Sequence, residues 1–293
     1  MTIKFGIKNR FTNEVMNTTE IDCDASTSQS IKLGLAVKWV IKNGGDLRGC
    51  DLSNSDMRGC DLRYCNLRGC DISNSDLSNS DISNSDLRGC DLINCNLRGC
   101  DISNSDLRGC DISNSDLRGC DLRGCDLSNS DLSNSDISNS DMRGCDLRYC
   151  NLRGCDLSNS DMRYCNLRGC DISNSDLSNS DISNSDMRGC DLRYCNLRGC
   201  DLINCNLRGC DLSYVKGIEN SIIDCGIRSD GYRFYLTRTE QGEWRIKAGC
   251  RNFTITEAKE HWDRTRPEGD ILGDETRLII EYGLDVANFR EWK

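Results

Sequence analysis

The stretch Asp46-Leu47-Arg48-Gly49-Cys50-Asp51-Leu52-Ser53-Asn54-Ser55 holds two consecutive versions of one five-residue unit. The unit runs in unbroken register from Asp46 to Val215, 34 pentads in all, within a 293-residue chain. Its second position is always Leu, Ile or Met. At about 100° per residue in a helix, residues five apart drift by about 140° and share no face. In a flat strand side chains alternate, so an odd period sends successive leucines to opposite sides. Bringing Leu47, Leu52, Met57, Leu62 and Leu67 to one interior requires one turn of the backbone per pentad. The chain must therefore coil, and each repeat must contact mainly its neighbours.

Cys50-Asp51-Leu52-Ser53-Asn54 and Cys65-Asn66-Leu67-Arg68-Gly69 follow the pattern small, Asp/Asn, Leu, polar, Gly/Asn. In this the middle of the chain closely resembles the pentapeptide-repeat proteins. The resemblance implies a mainly β fold, a right-handed quadrilateral β-helix with four pentads per turn. It also implies that the Leu and the small residue two places before it point inward. On that basis 34 pentads make about eight coils, a rod about 40 Å long at strand spacings near 4.8 Å. The structural core expected is the stacked Leu47, Leu52, Met57, Leu62 and Leu67 with the row Cys50, Cys70, Cys90 and Cys110.

The flanks read as small α/β capping regions, giving a division into 1–45, 46–215 and 216–293. Open solenoid ends expose unpaired backbone and invite end-to-end association, which such flanks would block. Ile3 to Ile7 alternates as a strand does. Ser26 with Gln29 three places on predicts a capping box for a helix through Ile31, Leu35, Trp39 and Ile41, ended by Gly44-Gly45. After the repeats, Ile222 to Ile227, Tyr232 to Thr237 and Trp244 to Lys247 read as strands joined at Asp230-Gly231 and Gln241-Gly242. Thr254 with Glu257 opens one helix, and a second is expected from about Asp274 to Phe289. The stretch Ala248-Gly249-Cys250-Arg251-Asn252-Phe253-Thr254 resembles terminal regions of phage or prophage pentapeptide-repeat proteins.

The repeats draw on a narrow vocabulary: 27 of the 34 end in Arg-Gly-Cys or Ser-Asn-Ser, and Arg-Tyr-Cys or Ile-Asn-Cys is always followed by Asn-Leu-Arg-Gly-Cys. Residues 63–86 recur identically as 163–186. Such linkage points to a designed or consensus array set between natural-looking flanks, with recent gene duplication as the alternative.

Of the 23 cysteines, 20 lie in the repeats at spacings of five or its multiples. That is neither a zinc spacing nor a secreted disulfide framework. With no apolar N-terminal run and no segment long enough to cross a membrane, a reducing cytoplasm is the expected compartment. The thiols read as small core fillers alternating with Ser, although soft metals would suit a thiol column. No cofactor is expected.

The net charge of −10 arises wholly in the repeats, which hold 28 Asp and 18 Arg. Sorted into the four columns of such a coil, the face beginning at Asp46 carries Arg48, Arg68, Arg88 and Arg108 and is slightly basic. The next carries Asp51, Asp71, Asp91, Asp111 and Asp131 and is distinctly acidic. Within the family, some members are DNA mimics whose acidic rod occupies the DNA-binding saddle of DNA gyrase. The resemblance therefore implies DNA gyrase as a candidate partner at that acidic face, which would replace phosphates against Lys and Arg. The Arg ladder beside it argues the other way, and an acidic protein without a basic stripe is not expected to bind nucleic acid directly. Tyr64, Tyr149, Tyr164 and Tyr194 fall in three columns and read as scattered surface residues, as do Ile93 and Ile203. Catalysis finds no support: His261 is the single histidine, and Cys225, Cys250 and His261 match no known ligand spacing. The expected function is a non-enzymatic structural scaffold, monomeric or weakly associating, with the acidic gyrase-binding mimic as alternative.

Overall fold

The computed structural model describes residues 1–202, 205–207, 209–212, 214–217, 222–238, 244–248 and 251–289. Among the described residues, pentads from Asp51 onward form a short bridge and a turn, their first residues bridging in parallel to the counterpart four pentads on, from Asp51–Asp71 to Asn196–Lys216. Four pentads therefore close one coil, which is a quadrilateral β-helix. Three backbone bonds tie one coil to the next at a typical pentad: Leu52 N–H to Asp71 O at 2.7 Å, Asn54 N–H to Ser73 O at 2.9 Å, and Asp71 N–H to Cys50 O at 3.0 Å.

The corners explain the fourth position. A bond from Cys60 N–H to Met57 O closes a four-residue turn at 3.1 Å. The third residue of such a turn needs positive φ, which Gly tolerates best and Asn next. Every described fourth-position residue has φ between 57° and 74°, whether Gly, Asn or Tyr. The first-position carboxylate braces the turn, with Ser53 N–H donating to Asp51 Oδ1 at 3.1 Å and Ser53 Oγ to the same atom at 2.7 Å. Leu47, Leu52, Met57, Leu62 and Leu67 are all buried.

Before the repeats, β1 (Thr2–Asn9) and β2 (Val15–Asp22) form a hairpin, followed by helix α1 (Gln29–Lys42). The hairpin's second strand was not legible in the sequence. The cap of α1 corrects the expected one: Ser28, not Ser26, accepts from the N–H of Ile31, while Ser26 Oγ donates to Asp24. β1 also pairs antiparallel with β3 (Cys50–Asp51), so it lines the first coil's edge. Asp56 N–H, with no earlier coil to meet, donates to Ser30 O at 3.2 Å.

After the repeats, β4 (Ile222–Ile227), β5 (Arg233–Arg238), β6 (Trp244–Ala248) and β7 (Arg251–Thr254) form an antiparallel sheet in sequence order. β7 is an element the sequence reading lacked, and the expected turn at Gln241-Gly242 lies outside the described residues. Thr254 and Glu257 form the capping box of α2 (Ile255–Thr265). Helix α3 (Ile271–Phe289) begins just before the expected Asp274. Phe234, Leu236, Ile246, Ala258 and Trp262 form a second core here, apart from the solenoid's own.

Candidate functional site

Chemistry along the rod is set by what the inward fifth position does. Cys70 Sγ donates to Leu47 O at 2.8 Å, Cys90 Sγ to Leu67 O at 2.9 Å, and Cys110 Sγ to Leu87 O at 3.0 Å. Ser130 Oγ, next in the same column, donates to Leu107 O at 2.7 Å. Cys and Ser alternate because both deliver a donor to a carbonyl of the preceding coil, a role that the reading as filler missed. Cys50, which heads the column, instead lies against Met16 and Asn17 of β2.

Burial makes these thiols poor nucleophiles. Desolvation pushes Cys50, Cys95 and Cys100 up to about 12. Cys70 and Cys90 are raised first by the next thiol in their column and further by burial. Thiolate is the form that binds metal and attacks, so this environment opposes both. Among the described residues, no three His, Cys, Asp or Glu side chains are grouped to hold a metal.

Outside, the Arg ladder is internally paired. Arg88 Nη2 meets Asp86 at 2.5 Å while its Nε faces Asp106 of the next coil at 3.4 Å. Arg108 spans Asp106 and Asp126 in the same way, at 2.5 and 3.6 Å, and Arg48 pairs with Asp46. Hydrogen bonds from the arginine two places on hold the carboxyls of Asp86, Asp106, Asp116, Asp121, Asp141 and Asp161 below the usual range, on this face and on others. Arg68 departs from this pattern, because Asn66 replaces the carboxylate and only receives the Arg68 N–H at 3.2 Å.

The column Asp51, Asp71, Asp91, Asp111 and Asp131 has a different environment. Its third positions are Ser, or Ile93, so among the described residues no repeat arginine pairs with these five carboxylates. They are half-buried and continuous through the Asp51–Asp71–Asp91–Asp111–Asp131 bridges. Asn151 Nδ2 donates to both oxygens of Asp131 at 3.2 Å. One cation does reach the row, Arg10 of the hairpin loop, whose Nη2 is 3.9 Å from Asp91.

Tyr64, Tyr149, Tyr164 and Tyr194 are all exposed, and Tyr194 stacks on Tyr214, one coil on, with centroids 4.9 Å apart and planes 4° apart. Ile93 is half-buried, and Ile203 lies outside the described residues. His261 stacks on Phe253 at 5.0 Å and borders a cavity of about 330 Å³ with Arg228, Tyr232, Trp262 and Arg266. The buried Arg228 in that wall is fully engaged, with Asp230 on one side and Thr276 Oγ1 at 2.9 Å on the other. Cys225 Sγ faces Ile223 O at 3.4 Å, and Cys250 is outside the described residues. Among those residues no helix is long and apolar enough to cross a membrane.

Coil, corner and core together define a class, the four-sided β-solenoids built from pentads. Residues 46–117 match a pentapeptide repeat region, and residues 110–148, 150–189 and 190–216 match pentapeptide repeats. The chain belongs to the pentapeptide repeat family, whose fold is the right-handed quadrilateral β-helix. Similar solved structures include HetL, a pentapeptide repeat protein involved in heterocyst differentiation regulation from the cyanobacterium Nostoc sp. strain PCC 7120. It is 24% identical over 58% of this chain and 81% of its own, with a TM-score of 0.34. QnrB1, a plasmid-mediated fluoroquinolone resistance protein, is 23% identical over 58% of this chain and 83% of its own, with a TM-score of 0.49. A pentapeptide repeat protein of the Arabidopsis thaliana thylakoid lumen is 19% identical over 44% of this chain and 66% of its own, with a TM-score of 0.19. Comparison with curated protein sequences gives no match.

Proposed function

We propose that the chain is a non-catalytic structural scaffold, a consensus-like pentapeptide solenoid of about eight coils over 46–215 held between capping regions 1–45 and 216–293. The observation that carries this reading is the unbroken coil-to-coil ladder, in which the inward positions are filled and the first-position carboxylates are engaged in turns. The capping roles are supported by bonds that replace missing coils, Asp56 N–H to Ser30 O at one end and Lys247 Nζ to Leu202 O at the other. Side chains tied into turns and ion pairs leave little chemistry free for turnover.

The second reading, an acidic mimic that occupies the DNA-binding saddle of gyrase, is favoured by one observation: the column from Asp51 to Asp131 lacks the arginines that neutralise its neighbour. A DNA gyrase supercoiling assay separates the two. On the scaffold reading, micromolar folded protein leaves supercoiling unchanged. Inhibition that disappears when Asp51, Asp71, Asp91, Asp111 and Asp131 are changed to Asn would replace the scaffold reading with mimicry.

A further inference from the structure

Arg10 is a surface arginine by position, yet its side chain is only 18% exposed. Its backbone N–H donates to Gly49 O at 2.9 Å. Its Nη1 donates to Gly69 O at 3.2 Å and to Cys70 O at 2.9 Å, while Nη2 faces Asp91 at 3.9 Å. One residue thus occupies two successive rungs along a single corner of the solenoid.

That corner recurs once per coil, and so do its acceptors. The fourth-position carbonyl takes no part in the backbone ladder: among the described residues, the carbonyls of Gly89 and Gly109 receive no hydrogen bond. The fifth-position carbonyl accepts one bond from the next coil, Asp91 N–H to Cys70 O at 3.0 Å and Asp111 N–H to Cys90 O at 3.1 Å. Its second lone pair remains available, as Arg10 demonstrates on Cys70. Beyond Arg10 the next rungs are therefore Gly89, Cys90 and Asp111, then Gly109, Cys110 and Asp131. There the run stops, because Asn151 replaces the carboxylate and donates to Asp131.

We propose that these two rungs form a docking surface for the arginine side chains of an extended basic peptide segment, in the arrangement Arg10 adopts within the chain. Two carbonyls and a carboxylate in a fixed triangle suit a planar guanidinium with several N–H donors, and suit an ammonium less well. The partner is defined by arginine rather than by positive charge alone. This inference goes beyond the scaffold reading and does not depend on gyrase.

The test is a titration of fluorescein-labelled hexa-arginine into the full chain at low salt, followed by anisotropy. Asp111→Asn with Asp131→Asn should weaken binding at least fivefold. Asp101→Asn with Asp156→Asn, an equal loss of charge on other faces, should change it less than twofold. Hexalysine should bind at least fivefold more weakly than hexa-arginine. Arg10→Ala vacates another rung and should tighten binding at least twofold, and Arg10→Met, which keeps an apolar stem without a donor or charge, serves in its place if the alanine variant melts early. No binding, equal weakening by both aspartate pairs, equal affinity for the two peptides, or no gain on freeing the Arg10 rung would each overturn the proposal.

Discussion

Lys247 Nζ donates to the carbonyl of Leu202, a position that earlier coils fill with the inward Sγ or Oγ of the next coil. The chain has left the solenoid path before residue 225, so a lysine from β6 supplies the donor instead. Burial of this amine lowers its pKa from the ordinary lysine value. The charged form is thus disfavoured in the fold, and this group's contribution to stability grows as pH rises toward the unfolded lysine value.

Lys247→Met should remove one of the two donors to Leu202 O, leaving the Cys205 N–H at 3.1 Å, and loosen the last coil. Loss of one such hydrogen bond costs about 0.5–1.5 kcal/mol. Hydrogen exchange at the amides of Cys205 and Cys210 should rise about tenfold, which is about 1.4 kcal/mol, with those of Leu92 to Leu132 unchanged. A uniform rise along the rod would refute a local role.

Gly34 marks the tightest contact at the other end: a Cβ there would stand 1.9 Å from Asp56 O. Gly34→Ala should push α1 off the first coil and break the Asp56–Ser30 bond. Overpacking of this kind costs about 1–3 kcal/mol. The expected result is a lower melting temperature together with faster exchange at Asp56, and an unchanged exchange rate there would argue against the contact.

Cys110 and Ser130 perform one task in one column, so Cys110→Ser should be nearly neutral. Cys110→Ala deletes one of the two donors to Leu87 O, which keeps the Cys90 N–H, and leaves a small cavity, an expected loss of about 1–2 kcal/mol in denaturant unfolding. If Ser proves as costly as Ala, the hydrogen bond is not what the position selects.

Arginine hydrogen bonds hold Asp61 at about 2 and lower Asp86, Asp106 and Asp141. Folded values below the unfolded value of about 3.9 give stability that is present above it and lost as pH falls through the folded values. Melting temperature should therefore be level from about pH 7 to 5 and drop steeply below about 4. These pairs are exposed, so each adds little and the effect is a sum. A maximum near pH 3 would contradict the sign.

Tyr64 holds φ at 60° and is 77% exposed. The left-handed region costs a non-glycine residue about 1–2 kcal/mol, and Asn tolerates it better. Tyr64→Asn should raise stability by about 0.5–1 kcal/mol in chemical unfolding, whereas a loss would mean that the ring contributes packing at this site.

Much of the solenoid was legible because a strict period leaves few geometries. Leu47 through Leu67 must share an interior, and the residue vocabulary at each position then follows from one turn repeated many times. The flanks were only partly legible. Ser26 and Ser28 stand equally well before an apolar helix pattern, and β2 alternates too weakly to declare itself without its partner β1. Tyr194 and Tyr214 are four pentads apart and stack only because one coil brings them level.

Sequence alone determined that the chain coils, where the repeats begin and end, and which residues recur on one face, since all three follow from register. Tertiary structure decided what the recurring groups do. A thiol becomes a donor only when a carbonyl of the preceding coil lies against it, and an arginine is neutralised only where carboxylates of two successive coils meet it. Arg10 and Lys247 find their acceptors for the same reason: hydrogen bonds depend on distances of about 3 Å, and only folding brings Arg10 to Cys70 and Lys247 to Leu202 within that range.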